Sequence, residues 1–279
     1  MFHKKLSPLK SRGGRPSAKA VLAIGAVGLM AGACASADTT RSGFLSDYSK
    51  LEPRTDTLRA KVAQHQNPDL IAPIDAIWIE PTVLVGDIGE GFSDEEKAII
   101  TREIDRRLCF ALSGRFDITE QPTPAAGRLR AAASRVTPTN AVGSSASAVA
   151  NFFIPGPLGV RVPGSTGGLA AEAELLTPDG QQAAAVVWAR DAQVVGTESP
   201  SLSRIGDAHQ LTGAFADIVA DAVTPEDRPR RADAGTDPCA RFGPRIRPEG
   251  FVSRVITGLY TPSLSGGTTS TTEPEDDPR

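Results

Sequence analysis

The chain has 279 residues, among them 27 glycines and 22 prolines, and its formal net charge is −3. This length is enough for one domain with extensions, and the many glycines and prolines predict long irregular segments. The excess of acidic residues argues against a nucleic-acid-binding protein, because such binding rests on cationic contacts to phosphate.

The N-terminus has the three parts of a secretory signal. Residues 1–19 hold six Lys and Arg and no acid, residues 20–33 are uncharged and apolar, and small residues precede Cys34. A helix needs about 20 apolar residues to cross a bilayer, so we predict a lipoprotein signal peptide over residues 1–33 rather than a permanent span. Its removal takes away six cations and no acids, which moves the formal net charge from −3 to −9.

Two cleavage sites fit this leader. Residues 31–33 (Ala-Gly-Ala) before Cys34 resemble a bacterial lipobox, in which the cysteine thiol is acylated, although alanine stands where leucine is usual. Residues 35–37 fit an ordinary A-x-A cut after Ala37, which would release a soluble periplasmic protein. We favour lipidation of Cys34, because it lies where the apolar run ends. Ala35 follows the cysteine, and resemblance to the enteric sorting pattern then predicts the outer membrane, facing the periplasm.

Two further cysteines, Cys109 and Cys239, remain after the leader. An oxidising periplasm favours a disulfide between them, and two separate thiols are the alternative.

Residues 34–70 are predicted to be a lipid-anchored tether followed by a docking segment. Residues 42–51 carry closely spaced apolar side chains but are too few to form a domain, so we expect them to pack on the domain that follows. The polar residues 53–67 are compatible with a short helix.

Residues 71–224 are predicted to form an α+β domain. Alternating β-branched residues indicate a strand over residues 71–85. Ser93 and Glu96 form a capping box that opens the clearest helix, with one buried stripe at helical spacing. The arginines assigned to the solvated side of this helix are Arg102, Arg106 and Arg107.

The remaining elements of this domain are strands at 115–119 and 127–137, a β-hairpin over 169–193 with a Pro-Asp-Gly turn, and an amphipathic helix at 204–223. Residues 140–168 are predicted to be a long loop that covers a sheet edge. The expected fold is an antiparallel sheet of about four or five strands, with the two long helices on one face.

Residues 225–279 are predicted to be a low-complexity tail rich in proline, arginine and acidic residues. A short apolar island at residues 249–260 has helical spacing, which suits packing on the domain or binding to a partner. The end of the chain, from residue 266, has the composition of a disordered segment.

No catalytic, cofactor-binding or metal-ligating constellation is visible. His65 and His209 lack the spacing of a zinc site, and no G-x-S-x-G elbow marks a serine hydrolase. Glu172 and Glu174 share a strand face, because their spacing is two. We interpret them as solvent-facing residues rather than as an acid–base pair.

Residues 42–48 (Ser-Gly-Phe-Leu-Ser-Asp-Tyr), soon after the lipobox, resemble the bacterial lipoprotein family of domain of unknown function thirty-three thirteen (DUF3313). The capped helix, the Ala/Glu-rich hairpin around Glu172 and Glu174, and the closing helix are similar too. The resemblance covers residues 42–223 and implies no established activity, ligand or catalytic residue.

Together these features predict a non-enzymatic binding or structural module of the bacterial envelope. It would be held on the membrane through Cys34, would meet an envelope protein partner, and would use no cofactor and no nucleic acid. Two alternatives are an envelope hydrolase acting on a glycan or ester, and a periplasmic binder of a small ligand in a pocket under residues 141–168.

Overall fold

The computed structural model describes residues 41–86, 88, 91–152, 159–231, 235 and 237–266. The predicted signal peptide, Cys34 and residues 35–40 of the predicted tether lie outside the described residues. So do residues 153–158 of the predicted loop and residues 267–279 of the end that was predicted to be disordered from residue 266.

The described residues form ten strands and six α-helices. The strands are β1 (Glu52–Pro53), β2 (Lys61–Gln66), β3 (Ala76–Ile79), β4 (Val83–Leu84), β5 (Asp117–Thr119), β6 (Gly127–Thr137), β7 (Gly159–Val160), β8 (Gly168–Leu176), β9 (Gln182–Asp191) and β10 (Val195–Gly196). The helices are α1 (Pro68–Ile71), α2 (Asp94–Leu112), α3 (Ala141–Phe152), α4 (Gly206–Val223), α5 (Pro248–Thr257) and α6 (Pro262–Ser265).

Eight of the strands form one sheet in the order β1-β2-β9-β8-β6-β3-β5, with β4 also paired to β6. The pairs from β1 to β6 along this order are antiparallel, whereas β3 is parallel to β5 and to β6, and β4 is parallel to β6. β7 and β10 form a separate two-stranded ribbon.

The α+β class is confirmed, but the prediction of a purely antiparallel sheet of four or five strands is wrong. Helix α2 connects β3 and β4 to β5 and β6, and a helical crossover returns the chain in the same direction, which makes these strands parallel. The strand predicted over residues 71–85 is two short strands, because Pro81 lies between β3 and β4 and lacks the N–H that a continuous ladder needs.

Two other segments differ from the sequence prediction. Residues 61–66, which were compatible with a helix, form β2 and pair with β9 over six residues. Residues 141–152 of the predicted loop form helix α3. Its sequence is rich in alanine, serine and valine, and it has no charged residue to mark a solvated face.

The two long helices contact each other, and both contact the sheet. Ser93 caps α2 with the predicted capping box, and Ile100, Ile104, Leu108 and Leu112 are buried along one stripe. Helix α4 places Leu211, Phe215 and Val219 in the same core, where Trp188 of β9 packs on Phe215 with ring centroids 5.8 Å apart.

Arg106 is buried, so its assignment to the solvated side of α2 is wrong. Its guanidinium donates to Glu103 and to the backbone oxygens of Pro244 and Arg245, at 2.7–3.0 Å. These acceptors come from the segment after residue 225, which the sequence could not place next to α2. Arg106 therefore holds part of the C-terminal segment on the domain.

Candidate functional site

The two central strands β8 and β9 are buried on both faces. Leu169, Ala171, Ala173 and Leu175 of β8 point into the core under the helices, together with Ala184, Val186 and Trp188 of β9. The opposite face of β8 carries Ala170, Glu172, Glu174 and Leu176, and all four are buried. The N-terminal docked segment, residues 41–51, covers the part of this second face that carries Glu172 and Glu174, with Ala185 and Val187 of β9.

Glu172 is bound by the start of the docked segment. Its carboxylate accepts a hydrogen bond from the Ser42 backbone N–H at 2.7 Å and another from the Tyr48 hydroxyl. Burial raises the pKa of Tyr48, and its bond to the Glu172 carboxylate raises it further. Tyr48 therefore stays protonated and acts as the donor.

Glu174 is bound by the middle of the same segment and by two strands. The Ser46 N–H and hydroxyl donate to its Oε2 at 2.9 and 2.7 Å, and the Gln182 amide donates to the same oxygen at 2.8 Å. Arg130 of β6 donates to Oε1 at 2.9 Å. This cation lies next to a fully buried carboxylate, an arrangement that offsets the cost of removing the charge from water.

Apolar contacts complete the docking. Leu45 is buried against Ala185 and Val187 of β9, with Phe44, Tyr48 and Leu51 packed around them. The Arg130 guanidinium lies 4.8 Å from the centroid of the Phe44 ring, a cation–π contact. The predicted docking of residues 42–51 therefore has both polar and apolar contacts in the structure.

The interpretation of Glu172 and Glu174 as solvent-facing is wrong. Both side chains have almost no exposed surface, because the docked segment covers them. Both oxygens of each carboxylate accept hydrogen bonds. In this arrangement they hold two parts of the chain together.

The predicted cysteine pair is brought together. Cys109 of α2 and Cys239 form a disulfide with Cα atoms 5.9 Å apart, and both residues are buried. The bond closes a loop across 130 residues and attaches the C-terminal segment to α2.

The two histidines that the sequence singled out lie on β2, next to the docked segment, and on α4. His65 is on β2, paired opposite Ala185. His209 of α4 is buried, with Nδ1 2.7 Å from the Tyr260 hydroxyl and Nε2 3.9 Å from Glu103. Burial lowers the pKa of His209 to about 4, and the Glu103 charge opposes this shift. The neutral ring therefore links the C-terminal segment to α4.

A second buried ion pair had no signal in the sequence. Arg161, next to β7, pairs with Asp207 in the first turn of α4, and both side chains are buried. Asp207 also accepts from the Gly167 N–H at 2.6 Å, and Arg161 donates to the Ser144 hydroxyl of α3 at 3.2 Å. Only the tertiary structure brings these residues together, since they come from separate parts of the chain.

Two features are absent from the part of the chain that the structure describes. No group of three or more His, Cys, Asp or Glu side chains there is arranged to hold a metal ion. Within those ranges, none of the helices has the length and apolar character needed to cross a bilayer.

The fold and this site define an α+β protein in which two buried glutamates bind an N-terminal segment to the sheet face opposite the helices. The chain belongs to the family described as "Protein of unknown function (DUF3313)", whose model matches residues 40–219. The matched range begins at the docked segment and ends within α4, and it confirms the resemblance seen in residues 42–48.

None of the curated proteins compared with the chain matches it. Among solved structures, the chain is similar to the PelC dodecamer from Paraburkholderia phytofirmans, with 12% identity, a TM-score of 0.38, and coverage of 62% of this chain and 99% of that chain. A single-residue variant of the same PelC dodecamer has 12% identity and a TM-score of 0.35, covering 58% of this chain and 96% of that chain.

Proposed function

We propose that this chain is a bacterial envelope lipoprotein, acylated on Cys34, whose α+β domain is a non-enzymatic binding module. The observation that carries the proposal is the docked segment, which begins within eight residues of Cys34. Eight residues span at most roughly 28 Å when fully extended. An acyl chain on Cys34 would therefore hold the domain close to the membrane surface.

The contacts of Glu172 and Glu174 support a structural role for the docked segment. A flexible tether would have no need for two buried carboxylates that accept hydrogen bonds from Ser42, Ser46 and Tyr48. The burial of both carboxylates under this segment argues against Glu172 and Glu174 as the acid–base pair of an envelope hydrolase, because a general acid or base must be within reach of its substrate. The outer membrane, with the domain in the periplasm, remains the proposed location.

The test of the anchor is Cys34→Ser. We expect the wild-type protein to incorporate labelled fatty acid and to sediment with membranes, and the variant to lose the label and to be released. Ala37→Leu is the matched control, because it blocks the competing A-x-A cut and leaves the cysteine in place.

Each outcome assigns one processing route. Release of wild-type protein, with retention only of Ala37→Leu, would show cleavage after Ala37 and overturn the lipoprotein. Membrane-bound, unlabelled protein in both the wild type and Cys34→Ser would also overturn it.

The binding role has a separate test. Mild crosslinking followed by purification from membranes should recover a macromolecular partner, and Phe251→Asp with Ile256→Asp should remove it. These two side chains belong to the exposed apolar stripe of α5. An unchanged partner set would exclude α5 from binding.

A further inference from the structure

A cleft of about 920 Å³ lies beside the C-terminal end of helix α2. One wall is the end of α2 with the residues that lead into β5, and the other consists of described residues of the C-terminal segment. We call this space the arginine cleft, because four guanidinium groups line it, those of Arg115, Arg230, Arg231 and Arg245. Its volume is in the range of ligand-binding sites.

The arginine cleft carries more positive than negative charge, although the chain as a whole is acidic. Two carboxylates, those of Asp117 and Asp237, also line it. Arg231 forms an ion pair with Asp117, and the Asp237 carboxylate accepts a hydrogen bond from the Cys239 N–H at 2.9 Å. The two acids are therefore engaged within the fold, and they balance only half of the four cations.

The other three guanidinium groups have no carboxylate partner among the described residues. Arg115 donates to the backbone oxygen of Arg228. Arg245 donates to the Phe110 oxygen at 3.0 Å and lies 4.9 Å from the centroid of that ring. Arg230 is exposed, and within the described part of the chain it has neither a hydrogen bond nor an ion pair. A guanidinium is permanently charged and bonds carboxylates through paired N–H groups, so the cleft suits an anionic ligand.

Both walls of the cleft are held by bonds within the chain. The Arg231 N–H donates to the Gly114 oxygen at 2.9 Å, and the Cys109–Cys239 disulfide attaches the residues around position 239 to α2. Because the walls are fixed in this way, a ligand that enters the cleft does not have to order them, and such preorganisation favours binding.

The end of this chain supplies a segment of complementary charge. Glu273, Glu275, Asp276 and Asp277 place four acids within five residues, and no other five consecutive residues of the sequence hold as many. Acidic motifs are commonly recognised by clusters of arginines. We call residues 273–277 the acidic stretch.

The chain is long enough to bring the acidic stretch to the cleft. Gly266, the last described residue, lines a small cavity together with Glu103 of α2, and its oxygen accepts from Arg247 at 2.8 Å. Phe110, in the arginine cleft, follows Glu103 by seven residues, which is about 10 Å along the helix. Glu273 follows Gly266 by seven residues, and these span up to about 25 Å when extended. The four acids can therefore reach the cleft without stretching the chain.

We infer that the acidic stretch binds in the arginine cleft of its own chain and excludes other acidic peptides from it. The covalent link raises the effective concentration of the acidic stretch at the cleft, so it outcompetes a free peptide of the same sequence. An acidic partner must then displace it before entering the cleft. This inference goes beyond the proposed function, since it depends neither on Cys34 nor on α5.

The test is the fluorescence anisotropy of a labelled peptide of residues 267–279, titrated with the processed full-length chain. The tail variant replaces the four acids by their amides: Glu273→Gln, Glu275→Gln, Asp276→Asn and Asp277→Asn. We expect it to bind the peptide at least about tenfold more tightly than the wild type, because its own acidic stretch no longer competes. Added salt should weaken this binding, since the paired charges are accessible to solvent.

Arg230→Glu tests the cleft itself. Introduced into the tail variant, it should weaken peptide binding by at least about tenfold, because it places an acid where the peptide brings acids. Arg230 has no bond within the described residues, so the variant should keep the melting temperature of its parent. Arg59→Glu is the matched control: Arg59 is also an exposed arginine with no bond to a described residue, but it lies between β1 and β2. It should leave peptide binding unchanged.

Several results would overturn the inference. Equal affinity of the wild type and the tail variant for the peptide would show that the acidic stretch does not occupy the cleft. The absence of binding to the tail variant, or binding that Arg230→Glu leaves unchanged, would show that the cleft does not recognise the acids. None of these measurements depends on whether Cys34 is acylated, so failure of the anchor and failure of the cleft give separate results.

Discussion

Glu174 accepts hydrogen bonds from the docked segment, from β6 and from the start of β9, so a single carboxylate joins three parts of the chain. Arg130 contacts two acids, so it allows a buried and a partly exposed ion pair to be compared. It is 2.9 Å from the buried Glu174 and 3.8 Å from Glu80, whose side chain is 34% exposed. The two acids share one cation but differ in their access to water.

Glu174→Ala should lower the free energy of unfolding by about 3–5 kcal/mol, because it leaves Arg130 and the Ser46 donors without their buried acceptor. Glu80→Ala removes an acid from the same cation in a partly solvated position, and we expect a change within about 1 kcal/mol. Urea denaturation of both variants measures the difference. Equal effects would mean that burial of Glu174 does not decide the strength of the contact.

Two buried titratable groups, His209 and Asp105, should change the free energy of unfolding in opposite directions as the pH falls below neutral. Burial lowers the pKa of His209 to about 4, so its contribution to stability is complete above about 6.5 and is lost as the pH falls towards 4. Burial raises the pKa of Asp105 to about 6, against the hydrogen bonds from Thr82. Its contribution is complete below about 3.8 and is lost as the pH rises through 6.

Asp105→Asn removes the stabilisation that comes from protonating Asp105. The loss of stability that His209 causes as the pH falls should then be seen without this compensation. The stability of the wild type relative to the variant should grow by about 2 kcal/mol as the pH falls from 7 to 4, because only the wild type gains from protonating a buried carboxylate. Denaturation curves at several pH values test this. A constant difference across the range would show that Asp105 does not titrate in this interval.

At the level of elements, the C-terminal segment is held on the two long helices by separate contacts. The Cys109–Cys239 disulfide and the bonds of Arg106 attach it to α2, and Tyr260 binds His209 of α4. The sequence suggested a low-complexity tail, because the composition after residue 225 is dominated by arginine, proline and acids. The contacts that fix this segment come from single residues spread along it, with no periodic pattern.

The disulfide should stabilise the fold. Its loop of about 130 residues corresponds to roughly 4–5 kcal/mol of chain entropy in the unfolded state. We expect Cys109→Ser with Cys239→Ser to lose about 2–5 kcal/mol and to become sensitive to protease after residue 225. Cys34→Ser, which removes the other cysteine, serves as the control. Full thiol labelling of the native chain without reductant would show instead that the pair is not bonded.

For the whole molecule, the docked segment covers one face of the sheet. A chain that begins at Arg54 lacks this segment and β1, and exposes Glu172, Glu174 and the apolar residues under Leu45. We expect it to bind a hydrophobic dye and to unfold at lower temperature than a chain that begins at Ser36. A synthetic peptide of residues 41–51 should bind the shortened chain and restore stability. No binding would mean that the segment does not contribute to the folded state.

Several elements could be predicted because their signals are local. The capping box of Ser93, the helical stripe of α2, the Pro-Asp-Gly turn between β8 and β9, and the length of β6 depend on residues close in sequence. The mixed sheet could not be predicted in this way, because parallel pairing is set by how a crossover returns the chain. Helix α3 lay in a segment whose glycines and serines suggested a loop.

In the candidate site, too, local signals were visible in the sequence, whereas contacts between distant residues were not. Residues 42–48 were recognisable as a motif, and the spacing of Glu172 and Glu174 placed them on one strand face. What the motif binds was not visible, because more than a hundred residues separate Ser42 from Glu172 in the chain. The alternation along β8 predicts which side chains share a face. Only the tertiary structure decides whether that face meets water or another part of the chain, because burial depends on what packs there.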